Sequence, residues 1–166
     1  MFAIGVGYGY SGASISGCTY GGSAMTRAGD PAFNSTSNAY ATYYYIMNPA
    51  TGVQTLACSG TSVTDYYLVY YVFDNVSSSS PVRTSSYTTA NGTTTAITIA
   101  SNADDKSVSV ILPTGSSPSS DQTYVASGAG TYYGAGDVAT TAAASKTHTW
   151  TTSGNTAIAG MSVRCK

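Results

Sequence analysis

Alternation of large apolar residues with small or polar ones predicts β-strands along nearly the whole chain. In residues 2–10, Phe2, Ile4 and Val6 share one face with two tyrosines, while alanine and glycines occupy the other face. A face made of glycines lets another layer or chain approach closely, although glycine weakens the strand itself. We therefore expect a first strand that packs closely against a neighbour on its glycine face.

Turn residues divide the rest of the chain into short strands. Gly21-Gly22 supplies positive φ for a tight hairpin between residues 14–20 and 23–27. The Pro- and Gly-containing turn 48–52 is expected to bring 53–59 back as the partner of strand 40–47. Further strands are predicted over 66–73, 93–100, 107–112, 122–127, 146–152 and 157–165, with loops over 28–38, 74–81, 113–120 and 128–137.

Helical periodicity is missing from this pattern, and residues 138–144 are the one candidate for a turn of helix. About ten short strands separated by turn residues are typical of a β-sandwich or a jelly roll. No segment repeats another and no linker divides the chain. The sequence therefore predicts an all-β protein, a single antiparallel, jelly-roll-like β-sandwich domain over residues 1–166.

Composition narrows the function classes. The 166 residues include 25 Ser, 25 Thr and seven Asp but no Glu, and the formal net charge is -1. Such a chain does not suit a helical bundle, a basic nucleic-acid binder, a transmembrane protein or an enzyme that needs paired carboxylates. We therefore expect no catalytic activity and neither nucleic acid nor a membrane as a partner.

The three cysteines, Cys18, Cys58 and Cys165, are expected to be small buried thiols, with one disulfide and one remaining thiol as the open alternative. Their spacing fits no metal site, and the single histidine, His148, cannot complete a zinc site of the usual kind. No metal or other cofactor is therefore expected. The segment after Met1 carries no positive charge and alternates like a strand, so we expect a strand there rather than a secretion signal.

Candidate catalytic and ligand-binding residues are few. His148 is interpreted as an ordinary strand residue, and Asp104-Asp105 as turn residues. Trp150 is expected to fill the core. An alternative is that Trp150 and the loop tyrosines Tyr132 and Tyr133 form an aromatic platform for a sugar ring.

Two strands are apolar or aromatic on both faces, whereas a sandwich normally buries only one face of each strand. In residues 66–73 and 40–47, neither alternating set is polar. The outer face must then be covered, either by the chain's own loops or by a neighbouring subunit, and tyrosine is enriched in such contact surfaces. The candidate assembly contacts are Tyr43, Tyr45, Tyr67 and Tyr71.

Three stretches resemble a known domain family. Residues 20–26, YGGSAMT, are similar to a Y-G-G-x-A-M-T hairpin, and residues 45–52 to an aromatic strand that ends in N-P-P-T-G, with Ala50 in place of the second proline. The strand 66–73 followed by Pro81-Val82 fits the same order, as does the closing Trp150 hairpin. The family is a β-sandwich, jelly-roll-like domain of bacteriophage virion proteins and of long bacterial surface proteins.

The resemblance implies a structural role rather than catalysis. Together with the low charge, it leads us to expect a phage virion protein, a cement or decoration protein on the capsid surface, made in the host cytoplasm. Its partners would be the major capsid protein or other virion proteins, and it would form a homo-oligomer, with a trimer as the simplest guess. The alternative is a carbohydrate-binding or adhesive surface domain of a tail, a head fibre or a bacterial filament, with Tyr132 and Tyr133 as its glycan platform.

Overall fold

The computed structural model describes residues 1–9, 12–63, 65–115, 118–127, 135–140 and 144–166. The described residues are all-β, and every strand pairing among them is antiparallel. In chain order the strands are β1 (Phe2–Gly9), β2 (Ser14–Tyr20), β3 (Ser23–Ala24), β4 (Thr26–Arg27), β5 (Ala32–Asn34), β6 (Ala39–Ile46), β7 (Leu56–Thr61), β8 (Asp65–Val72), β9 (Val82–Asn91), β10 (Thr94–Ala100), β11 (Lys106–Pro113), β12 (Ser119–Ser120), β13 (Thr123–Ser127), β14 (Ala135–Thr140), β15 (Ser145–Thr151) and β16 (Asn155–Val163).

Two larger sheets form the centre of the sandwich. The front sheet has the order β4-β6-β1-β8, with β5 also paired to β6, and the back sheet has the order β13-β14-β11-β16-β9. As the glycines predict, β1 lies close to the back sheet. A Cβ on Gly5 would lie 2.9 Å from Val110 Cβ, and one on Gly7 would lie 3.1 Å from Leu112 Cδ1. The core between the sheets includes Val108, Val110 and Leu112 of β11.

Two smaller sheets cover the outer faces of this pair. The cover sheet β3-β2-β7 packs on the front sheet, where Ile15 and Cys18 meet Ile4 and Tyr44. The sheet β10-β15-β12 packs on the back sheet around Trp150. The expected sandwich is therefore confirmed, and its two central sheets are further enclosed by a thin sheet on each side.

Several strand predictions are corrected by the structure. The glycine turn forms as expected, with φ of 58° at Gly21 and 79° at Gly22, but only Ser23–Ala24 pairs with β2, and Thr26–Arg27 pairs with β6 instead. However, β7 pairs with β2 and not with β6, because the turn at 48–52 leads the chain over to the cover sheet. Short pairings such as β3, β4 and β5 bring the described strands to more than the expected ten, and β5 lies within the predicted loop 28–38.

In two segments with few apolar residues, the structure forms strands that the sequence pattern does not predict. The helical candidate 138–144 begins inside strand β14, whose alanines and threonine are held by pairing to β11. The segment 82–91 lacks strong alternation of apolar residues, so its pattern does not indicate a strand, yet it forms β9 along the edge of the back sheet. In both cases the neighbouring strand supplies the stabilisation that local propensity lacks.

The cysteines follow the alternative left open by the sequence. Cys18 of β2 and Cys58 of β7 are opposite each other and form a disulfide, and Cys165 is a free thiol. The expectation of three thiols is therefore wrong for Cys18 and Cys58. The disulfide joins the two long strands of the cover sheet and so fixes the layer that protects the front sheet.

Candidate assembly surface

The front sheet has one outer face, and the cover sheet protects only part of it. Over β1 and β6, Ile4, Val6 and Tyr44 are at most 2 % exposed. The Tyr44 hydroxyl donates a hydrogen bond to the Ile15 carbonyl oxygen of the cover sheet, at 3.2 Å. Burial raises the pKa of Tyr8 to about 12 and also raises the pKa of Tyr44. The cover sheet therefore closes the centre of this half of the face, which we call the closed half.

Over β8 the same face is open. The exposed fractions are 57 % for Tyr66, 36 % for Leu68, 69 % for Tyr70 and 69 % for Val72. We call these four residues the open row. They alternate along one strand, contain no charge, and lie beside the closed half of the same sheet. A contiguous apolar surface of this kind marks a contact site more often than a single exposed residue does.

A small cleft adjoins one end of the open row. Its volume is about 150 Å³, and it lies between the end of the cover sheet and Tyr66. The lining residues are Ile15, Cys58, Ser59, Gly60, Val63 and Tyr66. The cleft has room for one side chain of a partner, so the surface combines an apolar row with a recess at its end.

The tyrosines proposed from the sequence lie on the other face. Tyr43 is 1 % exposed and Tyr71 is 6 % exposed, and both belong to the core between the two central sheets. Tyr71 donates a hydrogen bond to the Ser109 carbonyl oxygen at 3.3 Å. Tyr45 and Tyr67 are half-buried against the same core.

The assignment of contact residues is therefore corrected. The prediction that β8 has two apolar faces is sound, but the face chosen as the contact surface is the core face. The pairing of β8 with β1 determines which face of β8 turns towards the core, because Ile4 is opposite Tyr70 and Gly5 is opposite Val69. The glycine face of β1 turns inward, and the even-numbered residues of β8 turn outward with Ile4.

Of the three aromatic residues proposed for a glycan platform, the structure describes only Trp150. Tyr132 and Tyr133 lie outside the described residues. Trp150 is completely buried, and its Nε1 donates a hydrogen bond to Ser109 Oγ at 2.9 Å. The expectation that Trp150 fills the core is confirmed, and this ring is not accessible for stacking on a sugar.

A buried polar cluster surrounds the histidine. Ser107 Oγ lies 2.8 Å from His148 Nε2, and Ser109 Oγ lies 3.3 Å from His148 Nδ1. A serine beside an imidazole is the pair that nucleophilic catalysis uses. Here both serines and the imidazole are completely buried between the back sheet and its outer sheet, so they satisfy one another's polar atoms.

One carboxylate, that of Asp105, is held by several donors. Arg83 Nε donates to it at 2.5 Å, and the Asn102 N–H and the Ser162 hydroxyl donate at 2.8 and 3.0 Å. Burial raises the pKa of Asp105, but these donors outweigh burial and leave the pKa below its ordinary value. This ion pair closes the turn before β11 and lies on the back sheet, away from the open row. The turn role expected for Asp105 is confirmed.

Neither a metal-ligand cluster nor a membrane-spanning helix is found among the described residues. The described part of the chain brings together no group of three or more His, Cys, Asp or Glu side chains that could hold a metal ion. Among the same residues, no helix has the length and apolar character needed to cross a bilayer.

Comparisons with known proteins add no relative. No family model, curated protein or solved structure matches this chain.

Proposed function

We propose that this protein is a structural virion protein of a phage, a cement or decoration protein that binds the capsid surface. The observation that carries the proposal is the open row, an uncharged surface of two aromatic and two aliphatic side chains on an otherwise well-covered sheet. Burying apolar area releases about 25 cal/mol per Å². A protein that buries this row across a seam between capsid subunits makes opening of the shell more costly.

Low charge supports the same role. A free soluble domain of this size gains solubility from a net charge of about 2–8 in magnitude, whereas this chain carries -1. A copy that is held on a lattice by its neighbours does not depend on such charge. A specific contact needs about 800 Å² per partner, of which the open row would supply the apolar centre. The major capsid protein is the proposed partner.

The test is to image the particles of the virus that encodes the chain, alongside shells prepared without it. We expect regular copies on the native particle and rebinding of the purified chain to the bare shells. Tyr70→Ser combined with Val72→Ser should lower occupancy at least tenfold, which corresponds to about 1.4 kcal/mol.

The matched control is Tyr87→Ser, because Tyr87 is 60 % exposed but lies on β9 of the back sheet. This variant should bind like the unaltered chain. If the purified chain does not bind the bare shells, or if both variants bind equally well, the proposed function is wrong.

A further inference from the structure

Within the described part of the chain, the open row lies on an edge strand that pairs on one side only. Met1 and Phe73 exchange two hydrogen bonds, Met1 N to Phe73 O at 2.7 Å and Phe73 N to Met1 O at 2.9 Å. Bonded pairs alternate in an antiparallel ladder, so the following bonded pairs include Tyr71 and Val69. The N–H and C=O groups of the intervening residues, Leu68 and Tyr70 among them, therefore point away from β1.

Beyond that edge, no described strand pairs with β8. Natural edge strands are commonly protected by lysine, proline, a bulge or short length. β8 is eight residues long, pairs with β1 without a register shift, and contains neither lysine nor proline. Its one charged residue is Asp65, at the first position. Among the described residues, nothing pairs with the outward backbone groups of the open row, so its four residues offer both apolar side chains and backbone donors and acceptors.

The back sheet limits what can occupy the space beside this edge. β8 lies over β14, since a Cβ on Gly136 would lie 2.8 Å from Val69 Cγ1. β1 lies over β11, and β13 is paired to β14 on the side away from β11. Because the back sheet continues one strand past β14, we expect β13 to lie beneath the space beside β8, which we call the slot.

We propose that this slot receives one extended segment of the assembly partner, which adds to the front sheet as a strand beside β8. This inference rests on the proposed function, because the segment is taken to belong to the capsid protein. Strand addition obtains affinity from main-chain hydrogen bonds and specificity from alternate side chains. Since the strand from Tyr66 to Val72 carries no charge, the matching segment has about seven uncharged residues with apolar or β-branched side chains.

A second copy of this chain fits the slot less well than a single extended segment does. A β8 strand from another copy would bring its own β14 beneath it, at the place that β13 already occupies. A lone segment brings no second layer. The slot is one strand wide, so it favours a single extended segment over the edge of a second folded sandwich.

The test separates the backbone edge from the side-chain face. Leu68→Pro removes an outward N–H while leaving the ladder to β1 intact, and Leu68→Thr removes the same side chain but keeps the N–H. On bare shells of the encoding virus, we expect the proline variant to bind at least tenfold more weakly than the threonine variant. Tyr70→Pro and Tyr70→Thr form a second pair in case proline at position 68 prevents folding, which thermal unfolding of the free chain would reveal.

Each outcome has a separate meaning. Equal binding by the proline and threonine variants would overturn strand addition while leaving the proposed function in place. Failure of the unaltered chain to bind shells would overturn the proposed function itself. If sedimentation shows that the free chain dimerises and that the proline variants do not, the slot holds a second copy. The proposal of an extended capsid-protein segment is then wrong.

Discussion

Strands β6 and β8 lie on either side of β1, and both are aromatic on both faces. The outer face of β6 is covered, whereas the outer face of β8 is exposed. Tyr44 of β6 and Tyr70 of β8 are both opposite Ile4 and point to the same side of the sheet. Tyr44 is 2 % exposed under the cover sheet, whereas Tyr70 is 69 % exposed. The same chemical pattern thus serves as core in one strand and as surface in the other.

The difference shows that the cover sheet, not the strand's own sequence, decides which role applies. Strand β6 is also enclosed laterally, by β1 on one side and by β4 and β5 on the other. Strand β8 lacks both protections among the described residues. We interpret β8 as a strand whose missing neighbours come from the assembly.

The largest expected effect comes from truncating the two matched tyrosines. Tyr44→Ala should lower the free energy of unfolding by about 3–5 kcal/mol, because it leaves a cavity in a closed layer. Tyr70→Ala should change it by no more than about 0.5 kcal/mol. Urea unfolding of both variants measures this contrast, and similar losses would mean that the open row is part of the folded core.

Removing the disulfide should make β6 more like β8. Cys18→Ala with Cys58→Ala releases a link across 40 residues, which should cost about 2–4 kcal/mol and loosen the cover sheet. We expect a lower urea midpoint and increased binding of a hydrophobic dye. Cys165→Ala is the control and should have little effect on either, and a midpoint insensitive to the double substitution would rule out a stabilising role for the cover sheet.

Alkaline pH should destabilise the closed half through Tyr8. The pKa of Tyr8 is about 12 in the folded chain and 10 when unfolded, so the folded state favours the neutral phenol. Its contribution to stability is complete below pH 10 and is lost as the pH rises towards 12. Tyr8→Phe should therefore reduce the fall in unfolding free energy between pH 10 and 12, and an unchanged alkaline profile would contradict the burial of this hydroxyl.

The smallest effect on stability is expected for Val72→Thr, a nearly isosteric change in the open row. The free energy of unfolding should change by less than about 0.5 kcal/mol, because the side chain is already 69 % exposed. Solubility in ammonium sulfate should rise, since an apolar surface group has been replaced by a hydroxyl. A large loss of stability would show that Val72 packs against the folded chain.

Much of the front sheet follows from local sequence. The pattern of apolar residues predicts β1 and β8, and the Gly21-Gly22 turn predicts the hairpin after β2. Glycines on β1 correctly predict its close packing on the back sheet. These features depend on residues near one another in sequence, so period and turn chemistry suffice.

The identity of the contact face depends on information that the strand does not carry. Choosing between Tyr70 and Tyr71 requires the register with β1, which sets the face that turns outward. It also requires the position of the cover sheet, and there β7 pairs with β2 rather than with the nearer β6. Both are long-range pairings, for which alternation in a single strand gives no signal.

The most direct test of the account is residue-resolved amide hydrogen exchange along β8, in the free chain and on the capsid. In the free chain, the amides of Leu68 and Tyr70 should exchange rapidly, while those of Val69 and Tyr71, bonded to β1, should be protected. On the capsid, Leu68 and Tyr70 should become protected as well. Protection of these two amides already in the free chain, or rapid exchange of both on the capsid, would contradict the claim that the assembly completes this edge.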